Sequence, residues 1–168
     1  VAFLLSGKAH GQNDFTTISD RIFDNFQATG ASTVDSQTAS LLSTLQSNFS
    51  WPDINYASTA QTDWAPGNHL ARMGTLAKAY SKPTSIYYGD ATLKAKIEGV
   101  MNYWLALSPA PSSTNWFYLS LSVPKAIGNT LICLRNSPDG ISQTLENQLL
   151  AWMTKGVSLT VSPAKDGR

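Results

Sequence analysis

Behind Asp90, apolar residues recur at Leu93, Ile97, Val100, Met101 and Trp104, a spacing that only a helix turns into one continuous face. A helix with such a stripe is marginal until the stripe is covered, so the chain must supply partners. It does so repeatedly. From Asp14, Phe15, Ile18, Ile22 and Phe26 share one side, with Gly30 as the stop. A second helix is expected from about Asp35, carrying Leu41, Leu42, Leu45 and Phe49 and ending before Trp51-Pro52, because proline disfavours helix in the residue ahead of it. These two are expected to pair through their apolar faces. A third runs from Pro66 through Leu70, Met73, Leu76, Ala77 and Tyr80. Pro124 opens a fifth with Ile127, Leu131 and Leu134 inward, and a sixth spans roughly 141–155 with Leu145, Leu149, Leu150 and Trp152 as its apolar positions. No stretch from Asp14 onward makes a convincing strand and no charged heptads occur, so the expected fold class is all-α, built from antiparallel helix pairs.

Two connections stand out by length and aromatic content, residues 50–65 and 108–123. Long ordered loops are usually functional. Each precedes an odd-numbered helix, so both are expected to open on the same side of the array. The second contains Ser112-Ser113-Thr114-Asn115-Trp116-Phe117-Tyr118. Three neighbouring aromatics cannot all face inward from one irregular segment. One reading sets an amide beside an exposed ring, which suits a sugar: the flat face covers C–H groups while N–H groups meet hydroxyls. The other makes Trp116 and Tyr118 core anchors of a loop folded onto helices.

Charged residues are 14% of the chain, against a usual share of about a quarter, so uncharged polar residues supply the surface. Residues 1–11 read as the tail of a secretory signal, apolar Val1-Ala2-Phe3-Leu4-Leu5 followed by Ala9-His10-Gly11, with cleavage before Gln12 and a secreted or periplasmic destination. An apolar strand of the fold is the other reading of that stretch. Without Lys8, the 12 basic residues become 11, equal to the 11 acidic ones. Nothing in that balance steers nucleic acid or a membrane. Cys133 has no partner cysteine and sits in an apolar run, which points to a buried, inert thiol. His10 and His69 lack the neighbours of a metal site, and nothing calls for a cofactor. His69 and Arg72 share a helix face; His69 reads either as a ligand contact or as a structural residue bonding a loop carbonyl.

Several stretches then fall into a known order: Thr62-Asp63-Trp64-Ala65-Pro66-Gly67-Asn68-His69-Leu70, Ala79-Tyr80, Tyr87-Tyr88-Gly89-Asp90, Tyr103-Trp104, Asn115-Trp116-Phe117 and Val123-Pro124. In this order the chain resembles the N-terminal helical domain of polysaccharide lyase family 8, the family of chondroitin AC, hyaluronate and xanthan lyases. The resemblance implies an incomplete (α/α) toroid around a long cleft, with residues 12–168 as its N-terminal portion and the remaining part of the toroid following. It also implies an acidic polysaccharide as partner. The family's Asn-Trp-Trp segment lines the cleft, so the resemblance carries substrate binding over to Asn115, Trp116 and Phe117. Phe117 stands where the family usually has a second Trp, which keeps an apolar face and removes an N–H donor.

The chemistry so implied is β-elimination at a uronic acid. The substrate carboxylate is neutralised, and a Tyr helped by a His removes the C5 proton and protonates the leaving oxygen. The matching catalytic positions lie downstream of anything in this chain. Neither His69 nor any of Tyr56, Tyr80, Tyr87, Tyr88 and Tyr103 matches them, so no catalytic residue is assigned. The cations available to line a groove are Arg72, Lys78, Lys82 and Lys125. A non-catalytic carbohydrate-binding domain and a helical-repeat protein scaffold are the alternatives; against the scaffold, the connections are unequal and no fixed repeat appears.

Overall fold

The computed structural model describes residues 10–154, with side chains from Asp14 onward. Among the described residues the secondary structure is helical throughout: α1 His10–Gln27, α2 Ala31–Thr44, α3 Gly67–Ser81, α4 Ala91–Ala106, α5 Val123–Arg135 and α6 Gln143–Thr154. A π-helical turn, Tyr118–Ser122, leads directly into α5. The stretch read as a signal tail lies outside the described residues, except that His10 and Gly11 open α1. The polar tail after Gly156 also lies outside them.

The strongest stripe behaves as its spacing requires. Asp90 caps α4 by accepting the Leu93 N–H at 2.6 Å, and Leu93, Ile97, Val100, Met101 and Trp104 are all buried. α3–α4 and α5–α6 are two hairpins stacked side by side in the same direction. Near their starts, the rings of Trp64 and Tyr118 lie 5.4 Å apart. Midway, Gly74 of α3 faces Thr130 of α5, with Oγ1 3.5 Å from where a Cβ would sit, an ordinary contact distance. Trp104 and Trp152, in the last turns of α4 and α6, meet at 5.1 Å. At the far end Tyr80 donates its hydroxyl proton to the Asp139 carbonyl at 3.0 Å, and Pro138 packs on Gly89, whose φ of 65° needs a glycine.

Several sequence expectations are corrected. α1 and α2 do not pair with each other; α1 packs on α5 and α2 on α3. The end of α1 is pinned to α3, with Gln27 Nε2 donating to Ser81 Oγ at 2.9 Å and Lys82 Nζ to the Gln27 carbonyl at 2.7 Å. Phe23 and Phe26 therefore reach the core, while Phe15 and Ile18 project into solvent. α2 starts at Ala31, and Asp35 faces sideways to accept from Ser85 and the Ile86 N–H. It ends at Thr44 because Trp51 folds back and donates its indole N–H to the Leu41 carbonyl at 3.0 Å. Phe49 then adopts a φ of 66° and lays its ring over Gly99 of α4. In α6, Leu145, Leu149 and Trp152 are buried, but Leu150 is exposed.

His69 is fully buried and structural, although the carbonyl it bonds belongs to a helix. Its Nε2 lies 3.0 Å from the Val100 oxygen, which only accepts, so Nε2 carries the proton. Nδ1 then accepts from the Tyr56 hydroxyl at 3.0 Å, and the same hydroxyl oxygen accepts the Trp51 N–H at 3.2 Å. The imidazole stacks on Trp104, with centroids 5.6 Å apart at 22°. Burial pulls its pKa from 6.5 to about 4, with the nearby Arg72 charge acting the same way.

Two measurements check this packing. Ala at position 99 would overlap the Phe49 ring, so Gly99→Ala should cost about 1–3 kcal/mol. In a Phe49→Ala background it should instead stabilise by up to about 1 kcal/mol, through helix propensity alone. Equal costs in both backgrounds would contradict the contact. For His69, the unfolded chain takes up a proton below pH 6.5 that the folded one refuses until about pH 4. The His69 contribution to stability should therefore fall across that window by roughly 3 kcal/mol and change no further below it, where protonation of Asp53 takes over. His69→Gln should lower stability at pH 7 and remove that slope. Urea unfolding with the same slope in both proteins would show that His69 titrates freely.

Candidate functional site

The two long connections are sewn into one rim at the starts of α3 and α5. Trp64 is buried, and its indole N–H lies between two carbonyls, Ser58 at 2.9 Å and Ser112 at 2.8 Å, one from each connection. Beside it, Thr114 donates its N–H to the Thr59 carbonyl at 3.1 Å. Ser113 Oγ donates to the Ala60 carbonyl at 2.8 Å, and Asn115 Nδ2 to the Gln61 carbonyl at 3.0 Å. Both loops thus open on the same side, as the order of the helices implied. Residues 58–61 gave no sequence signal of this, since they join the second connection through backbone carbonyls.

The aromatic run divides. Tyr118 turns inward, packing on Trp64 and accepting the Trp64 backbone N–H on its hydroxyl oxygen at 3.4 Å. Trp116 and Phe117 turn outward, 69% and 47% exposed, with their rings edge-to-face at 6.4 Å. The core-anchor reading therefore fits Tyr118 and fails for Trp116. The segment is irregular only as far as Asn115: Trp116 and Phe117 already lie in the first helical turn. Asn115 causes this, because its Oδ1 accepts the Phe117 N–H at 3.1 Å as a helix cap. One N–H and one lone pair of that amide remain for a ligand.

Most of the expected cations are already engaged. Arg72 forms a two-pronged pair with Asp53 and lies over the Trp51 ring at 5.3 Å. The guanidinium holds the Asp53 carboxyl below its usual 3.8. Lys82 is bonded to the Gln27 carbonyl, and Lys78 lies 5.5 Å over Phe26. Lys125 is exposed at the start of α5. Facing it from α1 is Arg21, which sequence reasoning missed because the exposed half of α1 reads as a core stripe.

Tyr56, half-buried, is pushed up to about 12 by desolvation, so it stays a neutral donor to His69. Burial likewise raises the Cys133 thiol, outweighing a Ser81 hydrogen bond and the Lys78 charge, which act the other way. Among the described residues no group of His, Cys, Asp and Glu is placed to hold a metal ion, and no helix is long and apolar enough to cross a membrane.

Comparison with known proteins agrees with this architecture. Chondroitinase-AC of Pedobacter heparinus is 35% identical over 115 residues, which are 68% of this chain and 16% of that protein. A solved chondroitinase AC lyase, from work on enzyme–oligosaccharide complexes, superposes with a TM-score of 0.74 at 31% identity, covering 81% of this chain and 20% of that one. The chain thus spans about a fifth or less of the length of these relatives. Residues 13–163 match the N-terminal alpha-helical domain of polysaccharide lyase family 8, and the chain belongs to that family.

Proposed function

We propose that this chain forms one wall of the glycan-holding groove of a larger lyase, which cleaves a uronic-acid-containing polysaccharide of chondroitin, hyaluronan or xanthan type by β-elimination. The two stacked hairpins are then the first part of an incomplete (α/α) toroid, and the protein works where such polymers occur, in the periplasm or outside the cell. The observation that carries the reading is the outward indole of Trp116, mounted on a rim that hydrogen bonds hold in place before any ligand arrives. An exposed aromatic on a rigid support covers the apolar face of a sugar ring at little entropic cost. Asn115 offers its remaining N–H and lone pair to hydroxyls, and Phe117 adds a second apolar face.

On this reading the acid–base chemistry is supplied from outside the described part. β-Elimination needs a base that takes the C5 proton while the C4–O bond breaks, the leaving oxygen gains a proton and a C4=C5 double bond forms. His69 and Tyr56 are bonded to each other, but His69 has no exposed surface and both are committed to Val100 and Trp51. They hold the rim, and the catalytic groups come from the rest of the protein.

The test is the full-length protein acting on chondroitin, hyaluronan and xanthan. Elimination leaves the new double bond conjugated to the carboxylate, so ultraviolet absorbance should rise with each cut, whereas a glycan-binding module without chemistry would give retention and no such product. Trp116→Ala should cost about 1–3 kcal/mol of binding to the polymer that is cleaved. A variant with unchanged Michaelis constant and turnover would remove Trp116 from the groove.

A further inference from the structure

The exposed residues of the helix that begins at Trp116 do not stop at the aromatics. Trp116, Phe117, Leu121 and Lys125 are all exposed, and Asn129 is half-buried in line with them. At 1.5 Å per residue this face runs about 20 Å down the helix, room for several sugar units. It ends in a cleft of about 710 Å³ between α1 and α5, lined by Arg21, Asn25, Lys125 and Asn129 over Ile18 and Ile22. Ile18 is 53% exposed and Leu121 50%, so apolar surface continues from the aromatic rim into the cleft.

Resting on the groove reading above, we propose that Arg21 and Lys125 form a second, anion-holding subsite on this track, which takes the carboxylate of a uronic acid unit several sugars away from Trp116. The chemistry matches such a unit at each point: two cations for the carboxylate, two amides for hydroxyls and an aliphatic floor for ring C–H groups. Among the described residues neither cation has an ion-pair partner. Asp20 and Asp24 flank Arg21 along α1, but neither lines the cleft. The chain is close to neutral overall, at +1, so this pair is a local feature and not part of a general basic surface. Arg72, Lys78 and Lys82 already have partners, which leaves these two as the cations set beside the aromatic track.

The experiment measures binding of the full-length protein, in the cold and over times too short for turnover, to an unsulfated chondroitin hexasaccharide and to its carboxyl-reduced counterpart, with wild type and variant matched in helicity by circular dichroism. Arg21→Gln/Lys125→Gln should weaken hexasaccharide binding about five- to tenfold at low ionic strength, and the difference should vanish near 1 M salt. The carboxyl-reduced sugar should bind wild type and the double variant alike. A double variant that binds the acidic hexasaccharide as tightly as wild type overturns the subsite; that result is also the one expected if another part of the protein covers this face. Trp116→Ala, measured in parallel, reports separately on the groove reading.

Discussion

One indole N–H shared between two backbone carbonyls makes two loops into a single surface. Trp64 is buried, so its N–H must find acceptors inside the protein, and it finds Ser58 and Ser112 on different connections. Each such hydrogen bond is worth only about 1 kcal/mol net. Set beside the parallel bonds from Ser113, Thr114 and Asn115, however, it removes the independence of both loops. The other end of the first loop is fixed by the chain from Trp51 through Tyr56 and His69 to the Val100 carbonyl. A connection that would otherwise lose conformational freedom on meeting a ligand has already lost it during folding.

Topology decides where this rim can form. Two hairpins stacked in the same direction place both short links at one end, where Tyr80, Gly89, Pro138 and Asp139 pack together. The long links must then meet at the other end, ahead of α3 and α5. Binding capacity is thereby separated from the packed helices: the Trp104–Trp152 contact and the packing of α3 on α5 hold the hairpins together, while the loops carry the exposed chemistry.

The sequence revealed most where burial follows helical period. Asp90, the α4 stripe, Pro66, Pro124 and the inward faces of α5 and α6 (Leu150 apart) lie where spacing and capping placed them, since local preference and tertiary packing agree there. It revealed least where partners are distant in the chain. The stripe on α1 is genuine, but the hold of Ser81 and Lys82 on its last residue directs only Phe23 and Phe26 into the core. The end of α2 depends on an indole ten residues away, and the ring of Phe49 depends on a missing Cβ at Gly99. Periodicity carries no record of such contacts.

The outward turn of Trp116 has a register cause of the same hidden kind. Val123, Ile127, Leu131 and Leu134 define the buried face of α5. Continued backward at 3.6 residues per turn, that face falls near residues 119 and 116, so an uninterrupted helix would drive the Trp116 ring into the protein. The π-helical turn at Tyr118–Ser122 inserts one residue and rotates everything before it by about 100°. The inward position passes to Tyr118, which meets Trp64, and Trp116 and Phe117 swing into solvent. One helix thus has a packed half and a displayed half. The extra residue is stable because both ends of the turn are secured, by the Asn115 cap on one side and Pro124 in the first turn of α5 on the other.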